Sequence, residues 1–303
     1  MTKHTPYDGA STPFAIGLKP LDLADWIELD ETYDAQMAEK LRLYKTVGDK
    51  VFVAQPDTES AQQEVLDLLS AHMLAHYPDR FKQTADGVAA TGDPALVAGA
   101  RDKPPLHKAS LLVQEDLILM RHGQTGWRLA AGSLCFPSSW TLTEKFGLPM
   151  HAIHQPVPDF GKGTRNDELI NRMFDRLHQP VQRFNWSIQA GGALYHPLSN
   201  EGRQDRTDHP SPRFGDDVDA AAFVRVERQT LRKLPQSRDV LFTIRIYLNP
   251  LGWIARQPER VRLAQGFAGQ LRAMPREQLD YKGLTADRDR IVAALDAMAT
   301  DEN

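Results

Sequence analysis

The chain has 303 residues, 36 basic and 40 acidic side chains, 41% hydrophobic residues and one cysteine, a composition with room for a real core that excludes wholesale disorder. Its apolar runs are too short to cross a bilayer, and a net charge of -4 argues against a nucleic-acid-binding face. The polar N-terminus shows no secretory signal, and the lone Cys135 excludes an internal disulfide, which together lead to the expectation of a cytoplasmic protein.

In chain order, the first dozen residues, with Pro6, Gly9 and Pro13, read as a frayed lead-in. Met37, Leu41 and Tyr44 place a helix over Asp34 to Lys45. A longer helix is predicted after Pro56, with Ser60 and Gln63 as a capping box and a stripe of Val65, Leu68, Leu69, His72 and Met73, ended by Pro78. Thr84 to Pro105 reads as loop with a short helix at Ala95 to Ala100.

The period then changes to that of strands. Asp116 to His122 and Trp127 to Cys135 form a hairpin around Gly123-Gln124-Thr125-Gly126. A short helix at Thr141 to Phe146 precedes an extended, proline-bearing loop from His151 to Phe160, and Thr164 opens an amphipathic helix bearing Leu169, Ile170, Met173, Phe174 and Leu177. Asn185 to Gln189 is a candidate strand, and the polar stretch Asn200 to Asp219 reads as a mobile surface loop. Phe223 to Leu231 and Val240 to Leu248 are strands, the second with Thr243, Arg245 and Tyr247 on its polar face. Helical text runs from Pro258. Hairpins separated by a helical block imply an α+β fold, an antiparallel sheet with helices packed around it. The strand order, two, helices, three, is also that of a PAS domain.

Several motifs bear on chemistry. Arg121-His122-Gly123-Gln124-Thr125 after a strand matches the phosphate pocket of histidine phosphatases, where the histidine accepts phosphoryl. A hairpin turn explains the same residues, and no downstream histidine precedes a glycine. His151 and His154 lie in a proline loop without zinc-site spacing, and no dinucleotide or Walker loop occurs. Arg225, Glu227 and Gln229 share one strand face; charged residues there and at Arg245 suggest either a structural ion pair or a functional role.

Read together, Cys135-Phe136-Pro137-Ser138-Ser139-Trp140, Ile153-His154-Gln155-Pro156-Val157-Pro158, Asn185-Trp186-Ser187, Arg225-Val226-Glu227-Arg228-Gln229-Thr230-Leu231 and Phe242-Thr243-Ile244-Arg245 carry a more specific signal. Upstream, Gly17-Leu18, Trp26, Asp30, Tyr33 and Val113-Gln114-Glu115-Asp116 accompany them. In this order they resemble the α-subunit family of the haem-dependent oxidative N-demethylases, over about residues 14 to 252. The resemblance implies a haem b-binding, PAS-like fold and NADPH-dependent oxidation of dimethylamine by dioxygen, giving methylamine and formaldehyde. FMN, a 2Fe–2S centre and tetrahydrofolate belong to partner subunits, which must supply electrons, because one cysteine cannot hold a cluster through four thiolates.

The domain reading that follows is a flexible lead-in at 1–13, a haem-binding PAS-like domain with an N-terminal helical extension at 14–255, and a C-terminal helical extension at 256–303. On this resemblance His154 is the expected axial iron ligand, stiffened by Pro156 and Pro158, with His178 as its rival and Cys135 a third option. Glu227 is the expected proton acceptor for the amine. Arg228, Gln229 and Arg245 either polarise dioxygen or pair with the haem propionates, and Asn185 and Trp186 line the pocket. A non-catalytic haem sensor or carrier on the same fold stays open beside the enzyme.

Overall fold

The computed structural model describes residues 4–85, 87–91, 99–100 and 102–300. Its centre is a seven-stranded antiparallel sheet built from β1 (Lys19–Pro20), β2 (Phe52–Ala54), β5 (Asp116–Gly123), β6 (Gly126–Ser133), β7 (Val181–Ala190), β8 (Ala222–Lys233) and β9 (Val240–Pro250). The spatial order is β1-β7-β8-β9-β5-β6-β2, while β3 (Phe81–Thr84) and β4 (Gly87–Ala90) form a separate hairpin. The mixed helix and antiparallel sheet architecture is the expected α+β class.

Alternation along these strands sorts the sheet into two faces. On the front lie Ile118 and Met120 of β5, Leu231 of β8 and Ile244 of β9, packed with the helices Leu142–Lys145, Met150–Ile153 and Arg165–Asp175. On the back, Leu117, Leu119 and Leu241 pack with Met37, Val65 and Leu69 of the helices Tyr33–Val51 and Glu59–His76. The rest of the back face, with Trp186, Val224 and Val226, is covered by the C-terminal helices Arg260–Ala273 and Arg288–Thr300.

Local chemistry explains most element ends. The Gly123↔Gly126 register closes the β5–β6 hairpin on a two-residue turn, and Gly126 at φ 90° takes the left-handed conformation it needs. A bulge between Leu119 and Met120 leaves Ala130 unmatched across the pair. Thr164 caps the Arg165–Asp175 helix by accepting from the Asp167 amide. Asp116 accepts from the Cys135 and Phe136 amides at 2.8 and 2.9 Å, fixing the turn that follows β6.

Several expectations need correction. Ser60 lies inside the Glu59–His76 helix, whose cap position is Thr58, so the capping box does not form. Asn200 to Asp219 is not simply loop: it contains the helices Asn200–Asp208, capped by Ser199, and Val218–Ala221. The Met150–Ile153 turn interrupts the expected extended loop. Most of the Ala95 to Ala100 helix lies outside the described residues. Within the lead-in, Tyr7 is buried and stacked on Phe267 at 4.6 Å, and Gln270 donates to the Ser11 carbonyl, so the segment from Tyr7 to Ser11 is packed. No helix among the described residues is long and apolar enough to cross a membrane.

Candidate functional site

The front face opens into a cleft of about 270 Å³. Its floor is the sheet, where cross-strand neighbours Asn185 and Glu227, Arg183 and Gln229, and Gln229 and Ile244 lie side by side. Its wall is the segment from Ser138 to Phe160 with the Arg165–Asp175 helix, which contribute Trp140, Met150, His154, Phe160 and Phe174. Outside it lies a polar vestibule of about 810 Å³ that shares Pro156, Val157, Arg203 and Tyr281 with the cleft. The vestibule is framed by the helices Asn200–Asp208 and Arg276–Lys282.

His154 lies on the wall, just after the Met150–Ile153 turn. Its Nδ1 hydrogen-bonds the Met150 carbonyl at 3.1 Å, which makes Nδ1 the protonated nitrogen and leaves the Nε2 lone pair available. Burial pulls its pKa down to about 4, so the ring is neutral at physiological pH. A neutral imidazole with one nitrogen anchored to the backbone is a competent metal ligand.

Glu227 sits on the floor with two amides converging on one of its oxygens. Gln229 Nε2 donates to Oε2 at 2.7 Å and Asn185 Nδ2 donates to the same atom at 3.3 Å. Four cations also line the cleft: Lys145, Arg183, Arg203 and Lys282. Lys145 and Arg203 donate to carbonyls, of Ile153 for the lysine and of Ser139 and Tyr281 for the arginine, as Lys282 does to that of Trp186. Burial lowers the pKa of both lysines to about 8. Among the described residues Glu227 is the only acidic one in the lining, so the lining carries a surplus of positive charge.

Three non-glycine residues around the two cavities adopt left-handed backbone: Phe14 at φ 63°, Ser139 at φ 58° and Asp159 at φ 66°. Such conformations cost roughly 1–2 kcal/mol each, and they gather where function needs a particular backbone.

The cleft thus brings together His154, Pro156, Asn185, Glu227 and Gln229. The other expected site residues lie elsewhere. Arg228 and Trp186 follow Glu227 and Asn185 in their strands, so the pleat turns them to the back face. Arg228 donates to the Trp26 and Asp25 carbonyls and pairs with Glu28 at 3.5 Å. Trp186 is buried under the C-terminal helices and donates to Gln270 Oε1 at 2.8 Å. Arg245, also behind the sheet, pairs with Asp30 at 2.7 Å and donates to Gln36 Oε1 at 3.0 Å. For these two arginines the structural ion pair is what the fold contains.

His178 is exposed, beyond the end of the Arg165–Asp175 helix, and does not line the cleft. Cys135 is buried past the end of β6, with its thiol pushed up to about 12 by burial, and is absent from the lining. His122 is exposed at the tip of the β5–β6 hairpin and Arg121 is held by Asp239 at 2.7 Å and Asp57 at 2.9 Å, an arrangement with no phosphate pocket. Sequence reasoning missed Lys145, Arg183, Arg203 and Lys282. Arg183 carried a usable signal, because it keeps the alternation of Asn185 and Ser187 one step earlier in β7.

The matching family model is described as haem-dependent oxidative N-demethylase, alpha subunit-like, and it spans residues 17–292. That span takes in the whole sheet, the cleft lining apart from Phe14 and Ile16, and the C-terminal helix bearing Lys282. The chain belongs to the haem-dependent oxidative N-demethylase alpha subunit-like family.

Proposed function

We propose that this chain is the haem-binding subunit of an oxidative N-demethylase acting on a small secondary alkylamine such as dimethylamine. The observation that carries the reading is His154, a neutral imidazole anchored through Nδ1 at the wall of a cleft lined by apolar side chains and excess cations. Those residues suit haem b: an imidazole for the iron, Met120, Phe160, Phe174 and Phe242 for the macrocycle, and positive charge for a group bearing two carboxylates. The order of the central five strands, β6-β5-β9-β8-β7, supports the PAS-like reading. A tetrapyrrole needs more room than the cleft offers, so binding must widen it, and the irregular wall from Gly147 to Gly163 is the part best able to give way. A lone buried cysteine suits a cytoplasmic setting.

Bound haem would supply the iron at which dioxygen is reduced and the amine oxidised. The overall change is dimethylamine plus dioxygen, two electrons and two protons to methylamine, formaldehyde and water. This chain's own part is proton handling and positioning. At neutral pH the substrate arrives as an ammonium ion and must lose a proton before its nitrogen can give up electrons. Glu227 is the acceptor: both amide donors converge on Oε2, and Oε1 is left to take the N–H. Asn185 and Gln229 fix the carboxylate's direction, and the aromatic wall gives the site an apolar surround. Electrons come from a partner subunit, a reading that the alpha subunit-like family description supports.

The test is reconstitution with haem followed by a visible spectrum with and without dimethylamine. His154→Ala should lose the wild-type Soret position while His178→Ala keeps it. Glu227→Gln should retain haem and lose turnover when reductant is supplied. A wild-type protein that takes up no haem would refute the reading. Haem that is bound but indifferent to every small amine would favour a sensor or carrier.

A further inference from the structure

Among the described residues, two cations of the cleft, Arg183 and Lys282, make no ion pair, and Glu227 is the one carboxylate that acts on both. No carboxylate lies within ion-pair distance of Arg183 or Lys282 among the described residues. Glu227 is near enough to raise the pKa of both, yet its hydrogen bonds go to Asn185 and Gln229. The Arg183 Nε is buried without any hydrogen-bond partner. The Lys282 Nζ donates to the Trp186 carbonyl and lies 4.6 Å from the Trp186 ring centroid and 4.9 Å from that of Phe14. Both side chains are partly accessible, and both line the cleft. They also sense each other, since Arg183 helps to depress the Lys282 pKa after burial and against Glu227.

A half-buried cation without an ion-pair partner costs stability, and two that repel each other cost more. Such an arrangement persists where an anion from outside the chain completes it. Arg183 offers a planar fork and Lys282 a point charge, the usual pair of complements to a carboxylate. We infer that Arg183 of β7 and Lys282 of the C-terminal helix Arg276–Lys282 form a carboxylate-binding pair in the cleft, so that the C-terminal helical extension completes the ligand site. The inference builds on the proposed function in naming the cleft as the ligand site. The carboxylate has two possible sources, a propionate of haem or the carboxyl group of an N-methylated amino acid whose amine faces Glu227.

The experiment measures binding, without turnover, by titrating full-length protein with haem, with haem dimethyl ester, and with N-methylglycine against dimethylamine. Wild type should bind haem about 10–100-fold more tightly than its dimethyl ester, as expected for the loss of a charge-assisted hydrogen bond. Arg183→Gln and Lys282→Gln should erase that preference while Arg183→Lys keeps part of it. If the preference is absent but N-methylglycine outcompetes dimethylamine in a manner lost in both variants, the carboxylate belongs to the substrate and the pair stands.

Equal binding of all partners by wild type and both variants overturns the inference, even if haem is bound. Failure to bind haem in either form refutes the haem reading alone, because the N-methylglycine arm still tests the pair. Folding is checked separately. Arg183→Met should raise the melting temperature of the ligand-free protein, since it removes an uncompensated cation. A lower melting temperature with unchanged ligand binding would show Arg183 to be structural and would overturn the assignment.

Discussion

His107 gives the sharpest test of how burial sets charge in this fold. Its ring lies 3.8 Å from the Tyr44 ring centroid and 5.8 Å from that of Phe52, it is 6% exposed, and its Nδ1 has no hydrogen-bond partner. Burial, helped by the nearby Lys103 and Lys40 charges, pulls its pKa from 6.5 down to about 4. The unfolded chain therefore takes up a proton as pH falls through 6.5, while the folded protein takes it up only near 4. Stability from this group is fully present above 6.5 and is lost as pH falls towards 4. From these two pKa values the loss at pH 5 is about 2 kcal/mol, against about 0.2 kcal/mol at pH 7. His107→Phe keeps an aromatic ring in place and removes the titration. Urea unfolding at pH 7 and pH 5 reads the effect as a difference of differences, so contributions from other histidines cancel. The variant should lose about 2 kcal/mol less than wild type between the two pH values. Equal losses would refute the claim that this histidine is held neutral by its surroundings.

Three further outcomes follow from named contacts. Arg245→Met should destabilise the fold towards the lower end of about 3–5 kcal/mol, because it strands Asp30, which keeps some access to solvent; denaturant unfolding measures it, and haem affinity of the folded fraction should not change. Trp186→Phe should cost about 1–3 kcal/mol by orphaning Gln270 Oε1, read by denaturant unfolding; an unchanged unfolding free energy would refute the role of that hydrogen bond. A Cβ at Gly266 would meet the Asp8 backbone at 2.4 Å and Gly9 N at 2.8 Å. Gly266→Ala should therefore cost about 1–3 kcal/mol of overpacking, offset by up to about 1 kcal/mol of helix propensity, and should speed proteolysis in the segment around Asp8.

What could be read from sequence depended on range. The β5–β6 hairpin and β9 were legible because alternation and turn glycines are local signals. The Asn200–Asp208 helix was not, for it buries no residue and so has no apolar stripe to betray it. Only its Ser199 cap, which accepts from the Gly202 amide, carried a hint. The cleft was legible through His154 and Glu227. Lys282 was not, since it meets Trp186 across 96 residues and its own helix has only local neighbours in sequence. Family motifs also mix roles. Gln114 and Glu115 brace the Asp30 and Glu28 segments behind the sheet, and Asp116 pins the turn after β6, so a motif residue can be there for the backbone alone.

The two faces of the sheet explain why charged residues on adjacent positions had to be separated by structure. Arg228 and Arg245 face each other directly across β8 and β9, and the N-terminal segment brings Glu28, Asp30 and Gln36 to meet them. On the front, Arg183 and Lys282 are answered by one carboxylate already engaged by amides. Spacing gives both sets the same appearance; the covering layer decides which is neutralised. A face that keeps uncompensated cations holds binding free energy in reserve, because a ligand that supplies the missing charge removes a cost the free protein bears. Such a ligand at 100 times its dissociation constant should add about 2.7 kcal/mol to the unfolding free energy. The anion-dependent part of that gain should fall as Arg183 and Lys282 are neutralised, while the same changes made at Arg228 and Arg245 should weaken the fold and leave the ligand's contribution where it was.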